Sequence, residues 1–153
     1  MKPTFKMFPR EQSPGRVIFR VAVLLKLGLS RAFEKEGFDV TLEQWGILTR
    51  LTESDGIHQT ALAERVLKDR HNITRILNLL EKAGLIRRES DPTDKRCQRV
   101  FLSDKGKEVQ AALLPVAIEV LGQAFQGLSQ EDLVQMIRIL GRIIDNLSGS
   151  RPA

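Results

Sequence analysis

The stretch from Gly56 to Gly106 constrains the fold more than any other part of this chain. Apolar residues at helical spacing predict one helix over roughly Gln59–Val66 and a second over roughly Arg70–Ala83, joined by a three-residue turn. Asp69 ends that turn, and its carboxylate is predicted to cap the free backbone N–H groups of the second helix. Gly84 stands where glycine commonly ends a helix. The pattern is that of a helix-turn-helix.

A basic β-hairpin is predicted directly after the two helices. The short strand patterns Leu85–Glu89 and Arg99–Leu102 flank a charged, turn-rich tip, Asp91–Arg96. Ser103–Gly106 then has the pattern of a helix cap. A helix-turn-helix followed by such a hairpin is a winged helix, in which the hairpin forms the wing.

The second predicted helix has an apolar face and a polar face. The residues predicted to face a core recur at helical spacing and are Ile73, Ile76, Leu77 and Leu80. Because successive residues turn by about 100°, the opposite face is polar. It carries His71, Thr74, Arg75, Asn78 and Lys82.

The positive charge of the chain is concentrated in the same stretch. Residues 65–107 contain twelve Lys and Arg against six Asp and Glu, whereas the rest of the chain has twelve against thirteen. The whole net charge of +5 therefore lies there. Because DNA is a polyanion, a localised basic surface favours nucleic-acid binding. The alternative is an ordinary solvated surface.

These motifs resemble the MarR family of bacterial transcriptional regulators. The matching segments are Leu62–Arg65, Ile73–Leu77, Leu80–Ile86, Asp91–Arg96 and Leu102–Gly106. The Asp-Pro-x-Asp-x-Arg wing tip, at a fixed distance after a Leu-Glu-x-x-Gly-Leu helix end, is the most specific part. Two positions depart from the family pattern: Leu67 stands where glycine is common, and His58 where a capping hydroxyl is common.

The resemblance implies a sequence-specific DNA-binding transcriptional regulator. The family pattern further implies a repressor that binds a pseudo-palindromic operator on double-stranded DNA as a homodimer. A different class of function, a protein-interaction module on a winged-helix scaffold that does not bind DNA, is the alternative. The basic face of the second helix argues against it.

Groove geometry places the second helix in the major groove, with its N-terminal residues toward the base edges. The predicted DNA contacts are Arg70, His71, Thr74 and Arg75, with Asn72 and Asn78 as secondary candidates. Arg75 suits either a guanine edge or a phosphate. For His71 the alternative is a solvent-exposed polar residue without a partner role.

By resemblance, the wing tip adds contacts to the minor groove or the DNA backbone. Arg96 lies at the tip, with Lys95 beside it and Asp94 placed to orient the arginine. Positive side chains favour a narrow minor groove, because its negative potential is enhanced. The alternative is a hairpin that touches only water.

Amphipathic helices are predicted on both sides of this lobe. Ser13–Pro14 opens a helix that ends at Gly37, and Thr41–Gln44 is a capping-box pattern that opens another. Apolar stripes at helical spacing continue after the wing as far as Leu147. One small winged helix cannot bury all of them, so a homodimer through the first and last helices is expected. The alternative is a monomer in which these helices pack on each other.

The predicted fold is therefore mainly α with a small β-hairpin, as a single domain over residues 1–153. Residues 41–103 form the winged helix-turn-helix DNA-binding lobe, and residues 13–37 and 104–147 mainly form dimerisation helices. A length of 153 residues fits one domain with a substantial core.

No pattern of reactive residues predicts an enzyme, a cofactor or a metal site. His58, His71 and Cys97 match no zinc-ligand spacing. The basic sequence neighbours of Cys97 predict a lowered thiol pKa, although an inert thiol is favoured over a redox sensor. No apolar run reaches the roughly 18 residues of a membrane span, and no secretory signal is recognised. With a single cysteine, a reducing cytoplasm is the expected location.

Members of the family commonly release DNA when a small aromatic or anionic effector binds near the junction of the dimer helices and the DNA-binding lobe. By resemblance, the apolar walls of such a site are Val21, Leu24, Trp45 and Val116. For each of them plain core is the favoured interpretation, so none is assigned to a site.

Overall fold

The computed structural model describes residues 8–66 and 70–149. Within them the chain forms six α-helices, a short 3-10 turn at Arg10–Gln12 and a three-stranded antiparallel sheet. In chain order the elements are α1 (Pro14–Lys35), α2 (Leu42–Glu53), β1 (Ile57–His58), α3 (Gln59–Arg65), α4 (Arg70–Lys82), β2 (Ile86–Ser90), β3 (Gln98–Leu102), α5 (Asp104–Ala124) and α6 (Gln130–Ser148).

Local sequence signals set several helix ends, as predicted. Pro14 occupies the first position of α1, where its missing N–H costs nothing. The hydroxyl of Thr41 accepts from the backbone N–H of Gln44 at 3.2 Å, and the Gln44 side chain accepts from the N–H of Thr41 at 3.0 Å. Gly84 has φ +74° after α4. The predicted cap of α4, Asp69, lies outside the described residues.

The sheet has one strand more than the predicted hairpin. Its order is β1–β3–β2, with Ile57 opposite Val100 and His58 opposite Arg99. Gly56, at φ +71°, leads into β1, and a Cβ at this position would lie 2.7 Å from the ring of Phe101. Two residues are too few for periodicity to predict a strand, so the sequence did not reveal β1. The extra strand joins the wing to the start of α3.

The first core lies behind the helix-turn-helix and the wing. Its buried residues come from α2, α3, α4 and the sheet and include Leu48, Leu51, Leu62, Ile73, Ile76, Leu77, Leu80, Ile86, Val100 and Leu102. All four predicted core residues of α4 belong to it. Because α4 buries its whole apolar face here, its polar face is held outward.

A second core joins α1, α2 and α5. Its buried residues are Leu29, Phe33, Leu113 and Ala117. Trp45 is half-buried against it, with ring centroids 5.6 Å from Phe33 and an interplanar angle of 59°. Trp45 therefore packs against this core without being fully buried in it.

Within the described chain, residues up to Val120 form one compact unit and those from Leu121 onward form a second. In the second unit, α6 buries none of its side chains. Among residues 8–66 and 70–149, none of the helices combines the length and the apolar composition that a membrane span needs. The division into a DNA-binding lobe over 41–103 and dimerisation helices over 13–37 and 104–147 stays a prediction.

Candidate nucleic-acid interface

The exposed face of α4 gathers most of the predicted contact residues in one place. Arg70, His71, Thr74, Arg75 and Asn78 line a shared hollow of about 440 Å³. We call this surface the α4 face. Asn72 is also exposed but does not line the hollow.

Leu79 also lines the α4 face, and sequence reasoning passed over it. It is 47% exposed, although a leucine in a helix of a winged helix is ordinarily a core residue. Its position outside the spacing of the four core residues was the available signal. A large apolar side chain among cations provides a surface suited to sugar rings or thymine methyl groups.

The hydroxyl of Thr74 is used inside the protein. It donates to the backbone carbonyl of Arg70 at 2.8 Å and accepts from Nε2 of Gln59 at 3.1 Å. The second bond links α3 to α4. Because its proton is already donated, Thr74 offers a ligand mainly its methyl group.

Arg88 joins the wing to the far end of the α4 face. From β2, its Nη2 donates to Oδ1 of Asn78 at 2.6 Å and to Oε2 of Glu81 at 2.6 Å. The backbone N–H of Arg88 donates to Oε1 of the same glutamate at 3.1 Å. The hydrogen bond from Arg88 lowers the pKa of Glu81, so the ion pair persists at neutral pH. Sequence reasoning missed this contact between α4 and β2.

The predicted wing-tip residues Asp94, Lys95 and Arg96 are all exposed in the loop between β2 and β3. Asp94 does not orient the guanidinium of Arg96, and that part of the prediction is wrong. Its Oδ1 accepts from the backbone N–H of Arg96 at 3.0 Å. A short carboxylate side chain two residues back reaches the backbone more easily than the end of a long arginine. Asp94 therefore shapes the loop that carries Arg96.

Asp91 holds the base of the wing. Its side chain is 1% exposed, and Oδ1 accepts from the backbone N–H and the hydroxyl of Thr93 at 2.8 and 2.6 Å. Oδ2 receives Nε of Arg99 at 2.6 Å and lies 3.3 Å from Nε2 of His58. We call Asp91, Arg99 and His58 the wing anchor. Hydrogen bonds from Thr93 and then Arg99 hold the pKa of Asp91 well below its usual range.

The anchor gives His58 a place in the fold. Its side chain forms no cap hydrogen bond on α3, in contrast to the hydroxyl residues that are common there. Instead it reaches across from β1 to the buried carboxylate of Asp91. The sequence had shown His58 as a departure from the family pattern and as a histidine without zinc-ligand spacing, and it gave no sign of this contact.

The prediction that basic neighbours lower the thiol pKa of Cys97 is wrong. Burial, and then the nearby carboxylate of Asp94, raise that pKa instead. Sγ lies 3.6 Å from Oδ2 of Asp94. The fold thus places a carboxylate beside a partly buried sulfur, and both effects disfavour the thiolate. Within the described part of the chain, no group of three or more His, Cys, Asp or Glu side chains is arranged to hold a metal ion.

A cleft of about 550 Å³ separates the wing from the start of the helix-turn-helix. Its polar lining includes His58 and Gln59 on one side and Arg96 and Gln98 on the other, with Arg70 at the start of α4. Guanidinium groups from α4 and from the wing therefore border the same depression. Guanidinium groups are common ligands of DNA phosphates, so this cleft is a candidate phosphate contact.

Comparison with known proteins bears on this geometry. A sequence profile of the MarR family matches residues 40–98, which contain the helix-turn-helix and most of the wing. Over 104 residues the chain is 34% identical to the transcriptional regulator HosA of Escherichia coli O111:H-, covering 65% of this chain and 76% of HosA. The chain belongs to the MarR family of transcriptional regulators.

Two further relatives extend the match beyond the winged helix. The transcriptional activatory protein BadR of Rhodopseudomonas palustris is 29% identical over 140 residues, covering 87% of this chain and 79% of BadR. The MarR-family regulator Sco3205 of Streptomyces coelicolor, crystallised in complex with DNA, superposes with a TM-score of 0.84 at 29% identity. That superposition covers 96% of this chain and 95% of Sco3205, so the terminal helices are part of the family fold.

Proposed function

We propose that this MarR-family regulator binds a pseudo-palindromic operator as a homodimer, reads it with the α4 face, and represses transcription. The single observation that carries the proposal is the α4 face, where Arg70, His71 and Arg75 are exposed around one hollow. A helix that buries one complete face and presents cations on the other suits the major groove. Sco3205, whose fold is the same, was crystallised with DNA.

Within the α4 face, three kinds of contact are proposed. Arg70 and Arg75 supply guanidinium groups to guanine edges or phosphates, and His71 supplies a ring N–H near the start of the helix. Thr74 contributes its methyl group, because its hydroxyl is used internally. Asn72 and Asn78 complete the proposed set.

The wing supplies the proposed second contact. Arg96 and Lys95 are exposed at its tip, while the anchor at Asp91 fixes the loop that carries them. A cation held by a rigid loop loses little conformational entropy on binding, which favours insertion into a narrow minor groove. Asp94 contributes by shaping this loop through the Arg96 backbone.

The homodimer is supported by apolar side chains that the described chain leaves exposed. On α1 they include Val17, Phe19, Val21, Leu24 and Leu27, and on α6 they are Val134, Ile137, Ile139, Ile144 and Leu147. A monomer seldom exposes so much apolar surface. Two-fold pairing through these helices also produces two α4 faces, which is what a pseudo-palindrome requires.

Repression is proposed because it requires only that the dimer occupies its operator. A dimer that covers a promoter excludes the polymerase, whereas activation needs an additional contact with the transcription machinery. BadR is named an activator, so a reporter assay decides the direction. Deletion of the gene is expected to raise expression from the operator-bearing promoter, and a fall on deletion overturns repression while leaving DNA binding intact.

A small aromatic or anionic effector is proposed to release the operator. Of the proposed walls, Trp45 and Val116 are half-buried against the second core, and Val21 and Leu24 are exposed on α1. An effector lowers DNA affinity only by its differential affinity for the two states, and DNA must weaken the effector equally. Fluorescence of Trp45, titrated with phenolic acids in the presence and absence of operator, tests this. Equal affinity in both titrations means that the compound is not an effector.

The experiment for the proposed function is selection of bound genomic fragments, followed by gel shifts at stated salt concentrations. The wild-type protein should enrich one pseudo-palindrome and bind it more tightly than random DNA. Arg75→Ala should weaken that preference, whereas the control Arg50→Ala should keep it, because Arg50 pairs with Glu53 on α2. Failure to enrich any sequence supports the alternative, a protein-interaction module on the same scaffold.

A further inference from the structure

The orientation of the Asn78 side-chain amide is fixed by its partner. Nη2 of Arg88 donates to Oδ1 of Asn78 at 2.6 Å. A guanidinium group has five donors and no acceptor, so the amide must turn its oxygen, and not its nitrogen, toward Arg88. The two hydrogens of Nδ2 are then left for partners on the exposed side of α4.

Arg88 is held in place by contacts within the protein itself. Its side chain is only 18% exposed, and Nε and Nη2 lie 3.2 and 2.6 Å from Oε2 of Glu81. The backbone N–H of Arg88 fixes the other carboxylate oxygen. Rotating the Asn78 amide would break a charge-assisted hydrogen bond and place Nδ2 hydrogens against a guanidinium group.

An asparagine that is free to turn reads adenine by accepting from N6 and donating to N7. In Asn78 the accepting half of this pair is weakened, because one lone pair of Oδ1 is used by Arg88 and the oxygen stands beside the positive charge of that residue. An amino group of adenine or cytosine that approached this oxygen would carry a partial positive charge toward the guanidinium group of Arg88, and the two would repel each other.

We infer that Asn78 acts on the operator mainly as a hydrogen-bond donor. It selects the acceptors guanine O6/N7 or thymine O4 in the major groove, and it disfavours adenine and cytosine because each presents an amino group there. Arg88 is the positioning residue that imposes this choice. The inference rests on the proposed function, since it requires the α4 face to enter the major groove.

The position that Asn78 reads is distinct from the one read at the start of the helix. Asn78 follows Arg70 by eight residues, which is roughly 12 Å along a helix that rises about 1.5 Å per residue. Both residues line the α4 face. Their base contacts should therefore fall at different base positions of each half-site, which are different columns in an alignment of the selected sequences.

The test is selection from a randomised operator library with three variants. Wild type should show one column in each half-site that favours guanine or thymine, and Asn78→Ala should lose the preference in that column alone. Arg88→Met removes the guanidinium group but keeps an apolar stem, so Oδ1 becomes available. In that column adenine should gain on guanine by roughly tenfold, which lies within the range of one good base contact.

Asn78→Asp provides a second test that does not depend on correct folding of Arg88→Met. Its carboxylate still accepts from Arg88, it lies on an exposed helix face, and it has no donor to offer. The favoured base in that column should change to cytosine or adenine. Thermal melts followed by circular dichroism verify that each variant is folded.

Two results overturn the inference while the proposed function stands. One is a wild-type operator in which the column sensitive to Asn78→Ala contains adenine or cytosine. The other is an Asn78→Ala variant that weakens all sequences alike, which would make Asn78 a phosphate contact. If the wild-type protein enriches no sequence at all, the proposed function itself fails.

Discussion

At the residue scale, the wing depends on one buried carboxylate. Asp91 is 1% exposed, and it accepts hydrogen bonds from the turn that follows it and from Arg99 on the opposite strand. A buried carboxylate is tolerated only when it is fully hydrogen-bonded. The same contacts that satisfy Asp91 therefore define the shape of the wing.

Replacing Asp91 with asparagine should make folding stability less sensitive to acid. The depressed pKa of Asp91 means that its stabilisation is complete above the ordinary aspartate value of about 3.9 and is lost as the pH falls through the lower, folded-state pKa. Denaturation curves between pH 7 and pH 2 should show a shallower fall for Asp91→Asn than for wild type, and the two should diverge mainly below about pH 4. The variant should also melt at a lower temperature at pH 7.

The control for this experiment is Asp145→Asn, an exposed position on α6. It should follow the wild-type curve. If Asp91→Asn follows the wild-type curve as well, Asp91 is not the residue that holds the wing.

Substitution of Arg75 distinguishes a base contact from a phosphate contact at this position of the α4 face. If Arg75 contacts a guanine edge, Arg75→Ala should cost about 1–3 kcal/mol of operator binding and relax specificity at one position. Fluorescence anisotropy on the operator and on single-base variants of it measures both effects. Equal weakening on every sequence would reduce Arg75 to a phosphate contact.

At the scale of elements, the sequence predicted the helices and strands whose apolar residues recur at regular spacing. The predicted helix Arg70–Ala83 is observed as Arg70–Lys82, and the strand Arg99–Leu102 as Gln98–Leu102. Periodicity and a terminal glycine were sufficient, because both signals come from neighbouring residues.

The contacts that the sequence could not predict join residues far apart along the chain. The fold brings His58 of β1 to Asp91, and Arg88 of β2 to Asn78 of α4. The wrong pKa direction for Cys97 has the same origin. Its basic neighbours in sequence are visible in the letters, whereas its burial and the approach of Asp94 are produced by the fold.

The wing as an element should contribute a salt-dependent part of the binding free energy. Arg96→Ala should weaken operator binding and reduce the slope of log K against log salt concentration by about 1, the signature of one lost phosphate-region cation. Titrations at three or more salt concentrations measure the slope. An unchanged isotherm and slope would remove the wing from the interface.

At the scale of the whole molecule, the apolar side chains of α6 need a partner. Ile137 is 67% exposed and Leu147 is 83% exposed, and no side chain of this helix is buried in the described chain. Ile137→Glu should shift the protein from dimer to monomer in sedimentation equilibrium, because dimerisation would bury an unpaired charge. The control Gln135→Glu adds the same charge at an exposed polar position and should leave the dimer intact.

If Ile137→Glu and wild type sediment alike, α6 does not form the dimer interface. A monomeric variant should also bind the operator far more weakly. Only one α4 face is then held against the DNA, and the second half-site adds no affinity.

Chemical footprinting of the operator with dimethyl sulfate tests the central claim most directly. The reagent methylates guanine N7 in the major groove and adenine N3 in the minor groove. With wild-type protein we expect protected guanines in two half-sites about one DNA turn apart, flanked by protected adenines. Arg96→Ala should expose the adenines again and leave the guanines protected. Protection confined to one groove, or without two-fold symmetry, would contradict a dimer that reads DNA with α4 and the wing.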